Sequence, residues 1–173
     1  MTEKTENRIY DEAIRLLIKD GTRFTVDDLS LNLHISKKTL YSFTSSKNVL
    51  AKWIYDMAFK NFELSFQSLS SDPDIKNPEF KTLLVDYAII LCISQDSIFN
   101  RYSLDMSIKE KTQKAMNNAK EKVKLLLSNT TLSIYLLNPS FWISFNSSLI
   151  ALCKEADKKR ISDYWEFLKA IVC

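Results

Sequence analysis

The chain of 173 residues contains a single glycine, Gly21, and only three prolines. Ordinary glycine usage of roughly 7% would supply about twelve. Glycine provides positive φ in turns and lets a backbone approach phosphate closely. No G-x-G-x-x-G fingerprint, Walker loop or series of glycine-turned hairpins therefore fits this sequence, and all-β and doubly wound α/β folds are disfavoured. One histidine, scattered carboxylates and three cysteines (Cys92, Cys153 and Cys173) without C-x-x-C spacing leave little for acid–base chemistry or metal binding. Neither an enzyme nor a cofactor is expected. The longest apolar run, Tyr87 to Ile93, has seven residues, far short of the roughly 18 that a membrane span needs. The polar start, Met1 to Glu6, is unlike a signal peptide. An odd set of cysteines fits free thiols in a reducing cytoplasm. Charge of one sign is also missing: 24 Lys and Arg against 21 Asp and Glu give +3, so any nucleic-acid surface must be local.

What is present is helical periodicity almost throughout. Ile9, Ala13, Leu16 and Leu17 share one helical face, and Gly21 follows as a stop. Thr25 to Asp28 has capping-box spacing, and Val26, Leu29 and Leu33 mark a short second helix. His34-Ile35 breaks the pattern. Ser36 is a natural N-cap for a third helix through Ser42. Ser45 or Ser46 caps a long fourth helix with Leu50, Trp53, Ile54, Met57, Asn61, Leu64 and Leu69 on its stripe. The stretch 70–79 reads as a loop. Phe80 to Ile93, apolar nearly all round, reads as a buried central helix. A shorter helix is expected over 97–106 and a charged one over 108–127, whose segment from Lys109 to Lys124 holds six lysines and two glutamates. Residues 128–138 either extend that helix or cross over. Two aromatic-rich helices, 141–153 and 161–172, close an all-α fold.

The chemistry concentrates early. From Leu29 to Tyr55 there are four lysines (Lys37, Lys38, Lys47 and Lys52), one histidine and no acidic residue, whereas acids flank the segment at Asp20, Asp27, Asp28 and Asp56. Hydroxyls at Ser36, Thr39, Tyr41 and Ser42 interleave with the lysines. A locally cationic third helix, reached through a turn from the second, is what a phosphate-facing helix-turn-helix requires.

At these residues the sequence resembles the TetR family of bacterial transcriptional regulators. Leu29, Ser30, Ile35, Ser36, Thr39, Leu40, Tyr41, Ser46, Lys47 and Leu50 stand in register with the family's stretch, and the spacing of Ile9, Ala13, Leu16, Leu17 and Gly21 follows its first helix. The likeness covers about the first 50 residues. Leu33-His34 replaces a common Ala-Gly in the turn, Lys38 a common Gly, Phe43-Thr44 an aromatic pair, and Asn48 a Glu. If the turn keeps positive φ, His34 must adopt it, with some strain.

The resemblance implies a DNA-binding domain over residues 1–47 and a helical effector-binding and dimerisation domain over 48–173. It implies a homodimeric repressor on a palindromic double-stranded operator, released by a small ligand, and the lack of charge from Leu83 to Ile93 apart from Asp86 points to a largely apolar one. Thr25, Lys47 and Tyr41 would contact phosphates. Ser36, Lys37, Lys38, Thr39 and Ser42 would lie at the major groove, where lysine can donate to guanine. Candidate effector contacts are Tyr87, Cys92, Phe99, Tyr102, Met106 and Trp142. Candidate dimer contacts are Phe141, Phe145, Leu149, Tyr164, Trp165 and Leu168. These last stripes have a second reading, in which they complete the monomer core. The alternative function is an all-helical interaction module with a vestigial DNA-binding head, motivated by the lost turn glycine and by Thr44.

Overall fold

A computed structural model describes residues 3–19, 25–43, 45–70, 78–95, 106–154, 163, 164, 166–168 and 170. Among them there are helices and no strand: α1 (Glu3–Lys19), α2 (Val26–Leu33), α3 (Lys37–Phe43), α4 (Lys47–Ser70), α5 (Glu79–Ile93), α6 (Met106–Ser128), a 3₁₀ helix (Thr131–Tyr135) and α7 (Pro139–Lys154). Gly21, the loop 71–77 and most of the helix expected over 97–106 lie outside the described residues. No helix in the described part is long and apolar enough to cross a membrane.

Apolar side chains gather into two clusters. The first joins Ile9, Ala13, Leu16 and Leu17 of α1 to Val26, Leu29 and Leu33 of α2 and Leu40 of α3. It extends past residue 47, because Leu50, Ile54, Tyr55 and Ala58 of α4 belong to it, as do Ile93 and Ile108. The second is built around α5, with Phe62 and Leu69 of α4, Val123 and Leu127 of α6, and Trp142, Phe145 and Leu149 of α7. Burial of nine α5 residues, from Phe80 to Ile93, matches a sequence apolar all round and makes α5 the axis of the body.

The long α4 spans both clusters. Its buried face is Leu50, Ile54, Ala58, Phe62 and Leu69, and Leu64, expected on the stripe, is 54% exposed. A four-residue step advances about 40° beyond one full turn of 3.6 residues. The buried face therefore walks around the helix as α4 leaves α1 and α2 and meets α5. A buried hydrogen bond fixes the crossing: Tyr55 Oη donates to the Ile93 carbonyl at 2.6 Å, satisfying one of the free carbonyls at the end of α5.

The lysine-rich α6 buries Ile108, Thr112, Ala119, Val123, Leu126 and Leu127. Lys122 pairs with Glu63 and also lies 4.9 Å from the centre of the Phe66 ring, joining α6 to α4. Residues 128–138 cross over rather than extend α6. Thr130 donates to Leu127 O at 2.7 Å and accepts from Leu132 N–H at 3.2 Å, ending one helix and capping the next. Asn138 accepts from Ser140 N–H at 2.9 Å ahead of Pro139, so α7 starts on a cap followed by a proline whose missing N–H costs nothing there.

Candidate nucleic-acid interface

The expected capping box is present. Thr25 Oγ1 accepts from Asp28 N–H at 3.1 Å, and Asp28 Oδ2 accepts from Thr25 N–H at 3.0 Å and from the Thr25 hydroxyl at 2.6 Å. These donations, the hydroxyl first, hold the Asp28 carboxyl below the usual carboxylate range. Both donors of Thr25 are thereby committed to α2, so its hydroxyl reaches a phosphate only by leaving Asp28.

His34 has φ 53° and ψ 40°, the one non-glycine residue with positive φ among the described residues. The reason is the end of α2. His34 N–H donates to Leu31 O at 3.1 Å and Ile35 N–H to Ser30 O at 3.0 Å, the paired bonds of a Schellman stop. That stop needs a left-handed residue, and the chain supplies histidine where glycine is lacking. Ile35 packs onto the first cluster, and Ser30, buried, donates to Asp27 O at 2.9 Å.

The turn delivers Ser36, whose Oγ accepts from Thr39 N–H at 3.0 Å and shares a 2.8 Å hydrogen bond with Thr39 Oγ1. With this cap, α3 buries Leu40 and leaves Lys37, Lys38, Tyr41 and Ser42 exposed, with Thr39 half-buried. The Ser42 hydroxyl donates to Thr39 O at 2.7 Å. Lys38 has no partner among the described residues. Lys37 does: its Nζ lies 2.7 Å from Asp27 Oδ2, both side chains being more than half exposed. Ser46 caps α4, accepting from Val49 N–H at 3.3 Å. Lys47 stands in the first turn with its side chain outside the described atoms, and Lys52 is exposed.

The structure thus brings Ser36, Lys37, Lys38, Thr39, Tyr41 and Ser42 onto one short helix, with Thr25 at the start of the helix before it. Sequence reasoning missed Asp27. It lies ten positions from Lys37, and only the turn geometry brings the two together. It also missed Glu12, which accepts from Asn32 Nδ2 at 2.9 Å and from Arg15 at 2.5 Å, tying α1 to α2.

The structure places the other expected site residues as follows. Tyr87 and Cys92 are buried in the α5 core. Tyr87 Oη donates to Asn146 Oδ1 at 3.3 Å, and burial raises its pKa. Met106 is 66% exposed, and Trp142 is buried with its indole N–H donating to Leu136 O at 2.9 Å. Phe99 and Tyr102 lie outside the described residues. Phe145, Leu149 and Leu168 are buried in the chain's own core, so they complete the monomer and present no surface for a second copy. Phe141 and Tyr164 are half-buried against that core, and Trp165 lies outside the described residues. Large apolar side chains left open nearby include Ile134, Tyr135, Leu137, Ile143 and Phe167.

Compared with models of known families, with curated proteins and with solved structures, the chain matches none.

Proposed function

We propose that the chain is a DNA-binding transcriptional regulator of TetR type, a homodimer that reads a palindromic operator with α3 and leaves it when a small, largely apolar ligand binds the body. The observation that carries this reading is the solvent face of α3. Lys37, Lys38, Tyr41 and Ser42 project from a short helix that is anchored by Leu40 and aimed by the left-handed His34. Nothing acidic interrupts that face, and the nearest carboxylate, Asp27, is held by Lys37 in an exposed pair. Such pairs contribute little, about 0–1 kcal/mol, so a phosphate or a guanine edge can displace the carboxylate. Lys38 and Tyr41 are ready without rearrangement. Thr25 serves mainly by capping α2, and the phosphate contacts then rest on Tyr41, Lys47 and backbone N–H groups.

One short helix makes few base contacts, and two copies about one helical turn of DNA apart would give the required specificity. The exposed Leu137 and Ile143 border one groove beside α7, and they suit a contact with a second copy better than the buried aromatics do. The reading as an interaction module loses its first motive, because histidine makes the turn that glycine would have made.

Selection from random double-stranded oligonucleotides tests the proposal. A palindrome should emerge, and binding should weaken as salt rises, with a slope in log K of about −0.9 per phosphate neutralised. Absence of salt-sensitive binding at low ionic strength would refute it.

A further inference from the structure

The two described thiols, Cys92 on α5 and Cys153 near the end of α7, are adjacent. Cys92 Sγ donates to the Ile150 carbonyl at 3.8 Å, one turn before Cys153, and each thiol perturbs the titration of the other. Cys92 is 1% exposed and Cys153 7%. The two are not equivalent, because Cys153 borders a cleft of about 700 Å³ between α1, α4, α5 and α7, whereas Cys92 does not. Tyr10 and Ile14 of α1, Asn61 of α4, and Asp86 and Ile89 of α5 form the facing walls. A small polar reagent that enters the cleft therefore meets Cys153 before Cys92. α1 belongs to the cluster that carries α2 and α3, so the cleft lies where the head meets the body.

We infer that Cys153 is a modification site for small hydroperoxides, with Cys92 as its resolving thiol, and that the disulfide they form changes how α1 seats on the body. The Cys153 thiolate attacks one peroxide oxygen. An S–O bond forms, the O–O bond breaks, and the leaving hydroxide takes up a proton as water. Sulfur is oxidised by two electrons and the peroxide is reduced. The Cys92 sulfur then attacks the sulfenic acid: an S–S bond forms, the S–O bond breaks, and a second water leaves with the Cys92 proton. The pairing of the thiols suits both steps: Cys92 lowers the pKa of Cys153, and Cys153 together with burial raises that of Cys92. Joining the sulfurs ties α5 to α7 at the cleft that Tyr10 and Ile14 also line. The consequence for DNA rests on the proposed function, whereas the thiol chemistry does not.

The experiment uses the full chain carrying Cys173→Ser, so that only the two thiols remain. After treatment with hydrogen peroxide and denaturation, alkylation followed by mass spectrometry should find both thiols lost, two hydrogens gone, and the peptides of Cys92 and Cys153 joined. In Cys92→Ser, the sulfenic acid of Cys153 should persist and be trapped by a 1,3-dione. In Cys153→Ser, Cys92 should stay reduced. Cys→Ala versions, checked for helical content, separate chemistry from misfolding. Full alkylation of both thiols after peroxide, or oxidation of Cys92 at the parental rate in Cys153→Ser, overturns the inference. On an operator oligonucleotide, oxidation should change the affinity of the parent by about tenfold, within the usual range of coupling between sites, and leave both variants unmoved. A disulfide that leaves DNA affinity unchanged overturns the coupling. A reduced protein that binds no DNA overturns the proposed function while leaving the thiol result standing.

Discussion

Replacing His34 with glycine should make the protein more stable, although the change removes a whole side chain. The native backbone at this position is left-handed, at φ 53° and ψ 40°. For a residue with a Cβ that conformation costs roughly 1–2 kcal/mol. Glycine removes the cost but adds freedom to the unfolded chain, a loss of about 0.4–1 kcal/mol. The imidazole is exposed, so little contact energy is forfeited, and both backbone bonds of the turn, from residues 34 and 35, remain. The net gain is about 0.5–1 kcal/mol, or a rise in Tm of about 1–4 °C for a chain of this size. His34→Val, β-branched at positive φ, should lose at least about 1 kcal/mol. His34→Pro, which lacks the N–H and forbids the angle, should lose about 3 kcal/mol or more. Thermal and urea unfolding of all four proteins at one fixed protein concentration gives the order, since the proposed dimerisation would make Tm depend on concentration. A glycine variant less stable than the parent, or a valine variant equal to it, would show that residue 34 is not left-handed in solution.

Four further outcomes follow from the same geometry. Lys37→Ala should relax the sequence preference of DNA binding by about 1–3 kcal/mol at one base pair, whereas Lys47→Ala should weaken all sequences alike and reduce the salt slope by about 0.9; the reverse pattern in a binding titration refutes the division of roles. Thr25→Ala should cost about 1 kcal/mol through loss of the α2 cap, and Thr25→Ser should restore most of it. The Asp28 carboxyl is held below its unfolded value of about 3.9, so its stabilisation is complete above that pH and is lost as pH falls through the lower folded value. The stability gap between the parent and Asp28→Asn, read from urea midpoints, should accordingly close in acid and not in base. Ile143→Glu should convert a dimer to a monomer in sedimentation without unfolding it, whereas Phe145→Glu should unfold the body; a dimeric, folded Ile143→Glu refutes the placement of the contact.

The parts of the structure legible in sequence are those decided within a few residues. Caps at Thr25 and Ser36, the stop at His34 and the all-round burial of α5 depend on neighbours along the chain, and each lies where the residues indicated. Positive φ at His34 follows from glycine scarcity together with a turn of fixed shape. The Lys37–Asp27 pair was not legible, because a basic stretch in sequence says nothing of what the preceding helix folds back against it. The Cys92–Cys153 contact escaped for the same reason. Spacing motifs detect thiols close in sequence, and this pair forms only when α5 packs on α7.

The aromatic end of the chain shows how a correct pattern can still mislead. Phe141, Trp142, Phe145 and Leu149 do form a stripe, and a 3.6-residue period states that one face is covered. It does not state by what. Here α5, nearly apolar all round, can be satisfied only if every side is covered, and α7 supplies one of those sides. The same demand turns the face of α4 from Leu50 toward Phe62 and leaves Leu64 outside. Once the stripe is consumed within the monomer, the proposed interface must use what the core left over. That remainder is off the stripe, at Ile143 and at Leu137, which are 67% and 88% exposed. Two apolar residues six positions apart carry no period, so sequence pattern alone could not select them. Solvent exposure beside a groove can, because exposed apolar area is the quantity that association removes from water.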